Sequence, residues 1–138
     1  MTEKWTRWEP IAGLANNYFL AAINNDNRGL NILFSQYQAS TKNLNFSFDS
    51  SVQALRLSDE AFRLKTMYQL DELYGSDFYS SWTFFKIENS LYIAWLSDQS
   101  CGIIDSVNVH HISCFTDNII LDIVVNYEPK ISFIESDQ

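Results

Sequence analysis

The stretch VNVHHISCFTDNIILDIVV, residues 107–125, decides the fold. Two runs rich in β-branched and aromatic residues flank Thr116-Asp117-Asn118, a compact polar turn sequence. The pattern predicts an antiparallel hairpin with strands at 107–115 and 119–125. The second run is the longest apolar segment of the chain, and Asp122 interrupts it. It falls far short of the roughly 18 apolar residues of a membrane span.

Working outward, residues 82–87 and 91–96 read as two further strands, with Glu88-Asn89-Ser90 as the turn of a second antiparallel hairpin. Pro129 precedes a last short strand at 131–134. Toward the N-terminus, Leu44, Phe46 and Phe48 alternate with Asn45, Ser47 and Asp49, the period-two pattern of a strand with one buried face. Residues 18–24 and 30–36 form a first hairpin around Asn25-Asp26-Asn27-Arg28-Gly29, whose glycine is free to take positive φ. Residues 52–57 continue as an edge strand or begin a helix. Ser58 suits an N-cap, Asp59 and Glu60 suit the positive end of the dipole, and Gly75 suits a helix exit, which predicts one principal helix over 59–73. On its wheel Leu57, Ala61, Leu64, Met67 and Tyr68 share one face, while Phe62, Leu70 and Leu73 point elsewhere. Such a helix is either covered on two sides or turns its second face to a partner. The opening segment, with Trp5, Trp8, Pro10, Ile11 and Leu14, is too aromatic for a solvated tail and is expected to pack on the rest. The fold class predicted is α+β: a curved, largely antiparallel sheet of about six to seven strands carrying one principal helix. With 138 residues and no linker-like tract, one domain spanning 1–138 is expected.

Apolar residues make up 46% and aromatics 15% of the chain, which excludes intrinsic disorder and predicts a core of large flat side chains. The start MTEKWTRWEP has no signal-peptide pattern, and Cys101 and Cys114 lack C-x-x-C spacing, so a cytoplasmic protein with reduced thiols is expected. The charge is uneven. Residues 1–65 hold six acids and seven bases, whereas residues 66–138 hold eleven acids and two bases, a formal charge of -9 in the second part. Such a field repels nucleic acid and attracts basic proteins.

No glycine-rich phosphate loop, G-x-S-x-G elbow or H-E-x-x-H pair occurs, so those routes to nucleotide binding and hydrolysis are closed. His110 and His111 are adjacent in a strand and point to opposite faces, which keeps both from reaching one metal. One of them with Cys114 and Asp117 or Asp122 has the residue types of a thiol–imidazole site. A satisfied structural histidine is the plainer reading. Capping accounts for Asp59-Glu60 and a solvated face for Asp71-Glu72. No catalytic, cofactor-binding or metal residue is therefore assigned, and no cofactor is expected. Asp71, Glu72, Asp77, Tyr79, Asp98 and Asp105 fall at the helix exit and in loops, and are the residues expected to meet a partner, the carboxylates steering and the aromatics anchoring.

The segment Glu88-Asn89-Ser90-Leu91-Tyr92-Ile93-Ala94-Trp95-Leu96, then His111-Ile112, Thr116-Asp117-Asn118 and the run 119–125, resembles the second half of small acidic bacterial immunity proteins of polymorphic and contact-dependent growth-inhibition toxin systems. Leu57-Ser58-Asp59-Glu60 through Arg63-Leu64 adds to the likeness, which covers about half of the chain. The resemblance implies a cytoplasmic, non-enzymatic antidote that binds a cognate toxin domain, a basic nuclease in the expected case, and occludes it. From the acidic field and the lack of a membrane-length apolar run, no direct contact with nucleic acid and none with a membrane is expected. Three other classes stand beside the antidote: a structural protein that self-associates through an edge strand, a small enzyme built on His110, His111, Cys114 and Asp122, and a small-ligand pocket lined by aromatics.

Overall fold

A computed structural model describes residues 2–36, 42–49 and 52–135, and these form two antiparallel sheets with helices, an α+β fold. The strands are β1 (Lys4–Arg7), β2 (Phe19–Asp26), β3 (Gly29–Ser35), β4 (Lys42–Phe48), β5 (Val52–Asp59), β6 (Phe84–Glu88), β7 (His110–Thr116), β8 (Ile119–Val125) and β9 (Lys130–Glu135). The first sheet has the order β1-β6-β7-β8-β5 and the second β2-β3-β4-β9. The single curved sheet of the sequence reading thus divides in two, because β9 leaves its neighbour in sequence and pairs with β4, Phe46 opposite Ile131. The ambiguous run 52–57 is an edge strand, paired to β8 from Val52↔Val125 through Asp59↔Ile119.

The two expected hairpins β2–β3 and β7–β8 form. At the first turn Gly29 has φ +124, and a Cβ there would lie 2.2 Å from the Phe48 carbonyl oxygen, so only glycine fits. Asn118 takes the left-handed conformation (φ 64) at the second turn, which a short amide side chain tolerates.

Between the sheets lies the larger core, where Phe34, Phe46 and Phe48 meet Phe84, Ile112, Cys114, Leu121 and Ile123. The rings of Phe34, Phe46 and Phe84 stand 5.0–5.1 Å apart in edge and tilted contacts. The other face of the five-stranded sheet carries Trp5, Phe85, Ile87, Phe115 and Ile120 beneath the helices. Covered on both faces, β7 and β8 are buried from His111 to Phe115 and from Ile120 to Val125. That double cover is why their sequences are nearly continuous apolar runs rather than alternating ones.

The helical layer corrects two expectations. Residues 91–96 are not a strand but the body of a second helix, α2 (Leu91–Gln99), so Glu88-Asn89-Ser90 is a strand-to-helix turn and not a hairpin. Ser90 accepts a hydrogen bond from the Ile93 N–H at 3.0 Å, the side-chain cap that a helix start needs. Tyr92, Ile93 and Leu96 turn inward while Leu91, Ala94 and Trp95 turn out, a helical spacing hidden under strand-forming residue types. The principal helix also starts later than expected: β5 keeps its pairing to Asp59, a 3-10 turn occupies Glu60–Phe62, and α1 spans Leu64–Tyr74. Asp59, not Ser58, caps the 3-10 turn, accepting from the Ala61 N–H at 2.9 Å. Gly75 ends α1 with φ 97, as read from the sequence. The inward face of α1 is Met67, Leu70 and Tyr74, whereas Leu64 and Tyr68, expected to share the packed face, are exposed.

Candidate binding site between the two helices

The register of β5, β7 and β8 aligns polar side chains on the helix-covered face of the first sheet. Asp122 lies opposite Ser113 on one side and Arg56 on the other, and His111 lies opposite Ile87 and Val124. His111 Nε2 is 2.7 Å from Asp122 Oδ1, and Ser90 Oγ is 2.7 Å from His111 Nδ1. The second carboxylate oxygen of Asp122 accepts from Arg56 Nε at 2.8 Å and from Arg63 Nη1 at 2.6 Å. Ser90, His111 and Asp122 are 7%, 1% and 0% exposed, so every member of this chain must be satisfied from within. His111 does so by bridging its neighbours: its Nε2–H donates to Asp122 and its Nδ1 pairs with the Ser90 hydroxyl, which also accepts from the Ile93 N–H.

Burial pushes the Asp122 carboxyl upward, but the His111 hydrogen bond and field and the charges of Arg63 and Arg56 outweigh it and hold the group well below the usual carboxylate range. The aspartate is ionised at neutral pH, and two guanidiniums share its one negative charge. Arg56 also lies over the Tyr92 ring, 4.2 Å from its centroid, and Tyr92 stacks on Trp95 at 6.2 Å and 25°. The order guanidinium, phenol, indole thus forms one wall of a cleft of about 600 Å³. Glu3, Trp5, Leu55, Arg63, Thr66, Leu91 and His111 line the rest.

The order serine, imidazole, carboxylate is that of an activated hydroxyl. Here the hydroxyl caps α2, and the Leu91 N–H beside it is taken by Glu3 Oε2 at 2.8 Å. The chain ties the start of α2 to the sheet. The thiol–imidazole site does not assemble. Cys114 lies on the opposite face of β7 in the core between the sheets, where burial, then the charge of Asp122, raises its thiol. His110 is exposed and Asp117 sits in the β7–β8 turn. Ser90 is the member that sequence reasoning missed. A serine ahead of the run Leu91-Tyr92-Ile93 was the available signal, had that run been read as a helix.

The six residues expected to meet a partner fall into two groups. Asp71 and Glu72 are on α1, and Asp77 and Tyr79 follow it, while Asp98 ends α2 and Asp105 sits in a 3-10 turn, Ile103–Ser106. No hydrogen bond or ion pair joins the two groups among the described residues; Asp105 instead accepts from Ser97 Oγ at 3.0 Å. Glu72, Asp77, Asp98 and Asp105 are exposed. Asp71 is half-buried; one of its oxygens accepts from the Tyr79 hydroxyl at 3.4 Å, and the other is buried with no partner among the described residues. Tyr79 packs on Phe115, ring centroids 5.1 Å apart, and burial and then the charge of Asp71 raise its hydroxyl.

Among the described residues no three His, Cys, Asp or Glu side chains are grouped to hold a metal ion, and no helix is long and apolar enough to cross a membrane. Comparison with family models, curated proteins and solved structures found no match to this chain.

Proposed function

We propose that this chain is a non-catalytic antidote of the immunity type, a cytoplasmic protein that binds and occludes a basic toxin domain, a nuclease being the class that best suits its charge. The observation that supports a binding role is the inverted character of the helical layer. Each helix fully buries one residue, Leu70 in α1 and Tyr92 in α2. Outward, the same layer exposes Phe62, Leu64, Tyr68, Leu73, Leu91 and Trp95, six of the eleven large exposed hydrophobics among the described residues. A domain that hides so little and shows so much on one layer has the anchors of a protein interface. Glu72 lines a groove with Leu73 and Leu91, and Asp98 and Asp105 stand on and beside α2, so both helices carry exposed carboxylates. Their field, within a segment of net -9, favours a basic partner and a fast, salt-sensitive encounter.

A pull-down from the native host, followed by titration of the captured protein at two salt concentrations, tests this reading. Capture of one basic domain whose association slows with salt, and whose toxicity is relieved by co-expression of this chain, supports it. A partner that binds equally well after Glu72, Asp98 and Asp105 are neutralised together argues against it.

A second reading, self-association, is favoured by Leu55 and Leu57, 38% and 50% exposed on the edge strand β5. Sedimentation over a hundredfold concentration range separates the two, since an edge-paired assembly grows with concentration and an antidote monomer keeps its size.

A further inference from the structure

We propose that the cleft between α1 and α2 is a receptor for a small carboxylic acid in its ionised form, with the carboxylate on the two arginines and a flat apolar body against Trp95. The inference stands on the cleft alone and does not rest on the antidote reading. Its first support is a count of donors. A guanidinium has five N–H groups. Among the described residues Arg56 spends only its Nε–H and Arg63 only one Nη1 bond, both on the same oxygen of Asp122. Their other N–H groups meet no acceptor among the described residues, although the Arg63 side chain is only 14% exposed. The rim acid, Glu3, pairs with neither guanidinium; its oxygens accept from the Leu91 N–H at 2.8 Å and the Trp5 indole N–H at 3.4 Å. A single carboxylate would match these unspent donors and the planar fork of a guanidinium.

The second support is preorganisation and size. Arg56 is fixed on both sides, by Asp122 at its Nε and by the Tyr92 ring beneath its plane, so little side-chain freedom remains to be lost on binding. Trp95, 55% exposed, extends that stack outward and leaves an indole face open. At about 600 Å³ the cleft is within the range of small-ligand sites, and one inserted protein side chain would leave most of it to water. The molecule as a whole, at net charge -8, repels polyanions and so favours a singly charged ligand over a nucleotide.

The test uses 3-phenylpropionate, its neutral amide, and inorganic phosphate against the full chain, followed by proton–nitrogen NMR of the arginine Nε–H and tryptophan indole N–H signals. The expected result is saturable movement of the Arg56, Arg63 and Trp95 signals with the acid, with affinity about tenfold weaker for the amide, as loss of a charged hydrogen bond requires. Phosphate, lacking the flat body, is expected to bind more weakly than the acid. Arg56→Gln should weaken the acid by about the same factor. Because Arg56 also holds Asp122, Trp95→Ala serves as the variant with an unchanged fold, and it too should weaken the acid. Failure of the wild-type signals to saturate, movement confined to residues outside the cleft, or equal affinity for acid and amide would overturn the proposal.

Discussion

The space between the two sheets and the space beneath the helices are both buried, yet they are built on opposite plans. Between the sheets, Phe34, Phe46, Phe84, Ile112 and Leu121 are 0–1% exposed and meet ring to ring and ring to aliphatic, with no charged group among them. Beneath the helices, an apolar cluster around Leu70 and Phe85 adjoins a buried chain of Ser90, His111 and Asp122 with two arginines. A buried ionic cluster rarely adds net stability over close-packed apolar residues, since desolvation offsets most of the attraction. The first region holds the fold, then, and the second holds the geometry of a surface: it fixes Arg56, Tyr92 and the start of α2 at the wall of the cleft.

That contrast can be broken from either side. Phe84→Ala removes the ring shared by Phe34 and Phe46 and should cost about 3–5 kcal/mol in urea unfolding. Asp122→Ala strands Arg56, Arg63 and the His111 Nε2–H in a buried site, and a loss of about 3–5 kcal/mol is expected. The two differ in their pH dependence. Folding lowers the Asp122 pKa, so the unfolded chain takes up that proton first on acidification. The contribution of Asp122 is complete above an ordinary carboxylate pKa of about 4 and is lost as the pH falls below it. Urea melts between pH 7 and pH 3 should show this acid loss in the wild type and in Phe84→Ala, and a reduced loss in Asp122→Ala. Ser90→Ala removes the α2 cap and the partner of His111 Nδ1, with an expected cost of about 1–2 kcal/mol. Trp95→Ala, at a 55% exposed ring, should change the unfolding free energy by less than about 0.5 kcal/mol.

The same contrast explains what could be read from the sequence. Leu44, Phe46 and Phe48 advertise a one-sided strand, and the turn sequences at Gly29 and Asn118 place both hairpins, because these signals are local. The division into two sheets depends on β9 pairing with β4 across more than eighty residues, a contact with no local signature. α2 was hidden because Leu91-Tyr92-Ile93-Ala94-Trp95-Leu96 is rich in strand formers, and only the Ser90 cap and the inward turn of Tyr92, Ile93 and Leu96 reveal a helix. Of the candidate residues, His111 and Asp122 do meet, since β7 and β8 are hairpin partners two register steps apart. Arg56, Arg63 and Ser90 come to them from β5, the end of the 3-10 turn and the β6–α2 turn, three separate segments whose convergence no spacing rule encodes.

The claim that the helical layer is the recognition surface is tested most directly by the affinity of the captured partner for wild-type chain and for the double variant Leu91→Ala/Trp95→Ala. Both side chains are more than half exposed, so the urea midpoint should stay unchanged. The account predicts at least about thirtyfold weaker binding, the loss of more than 2 kcal/mol that marks an interface anchor. Undiminished affinity in a folded double variant would contradict it and move the recognition surface elsewhere on the molecule.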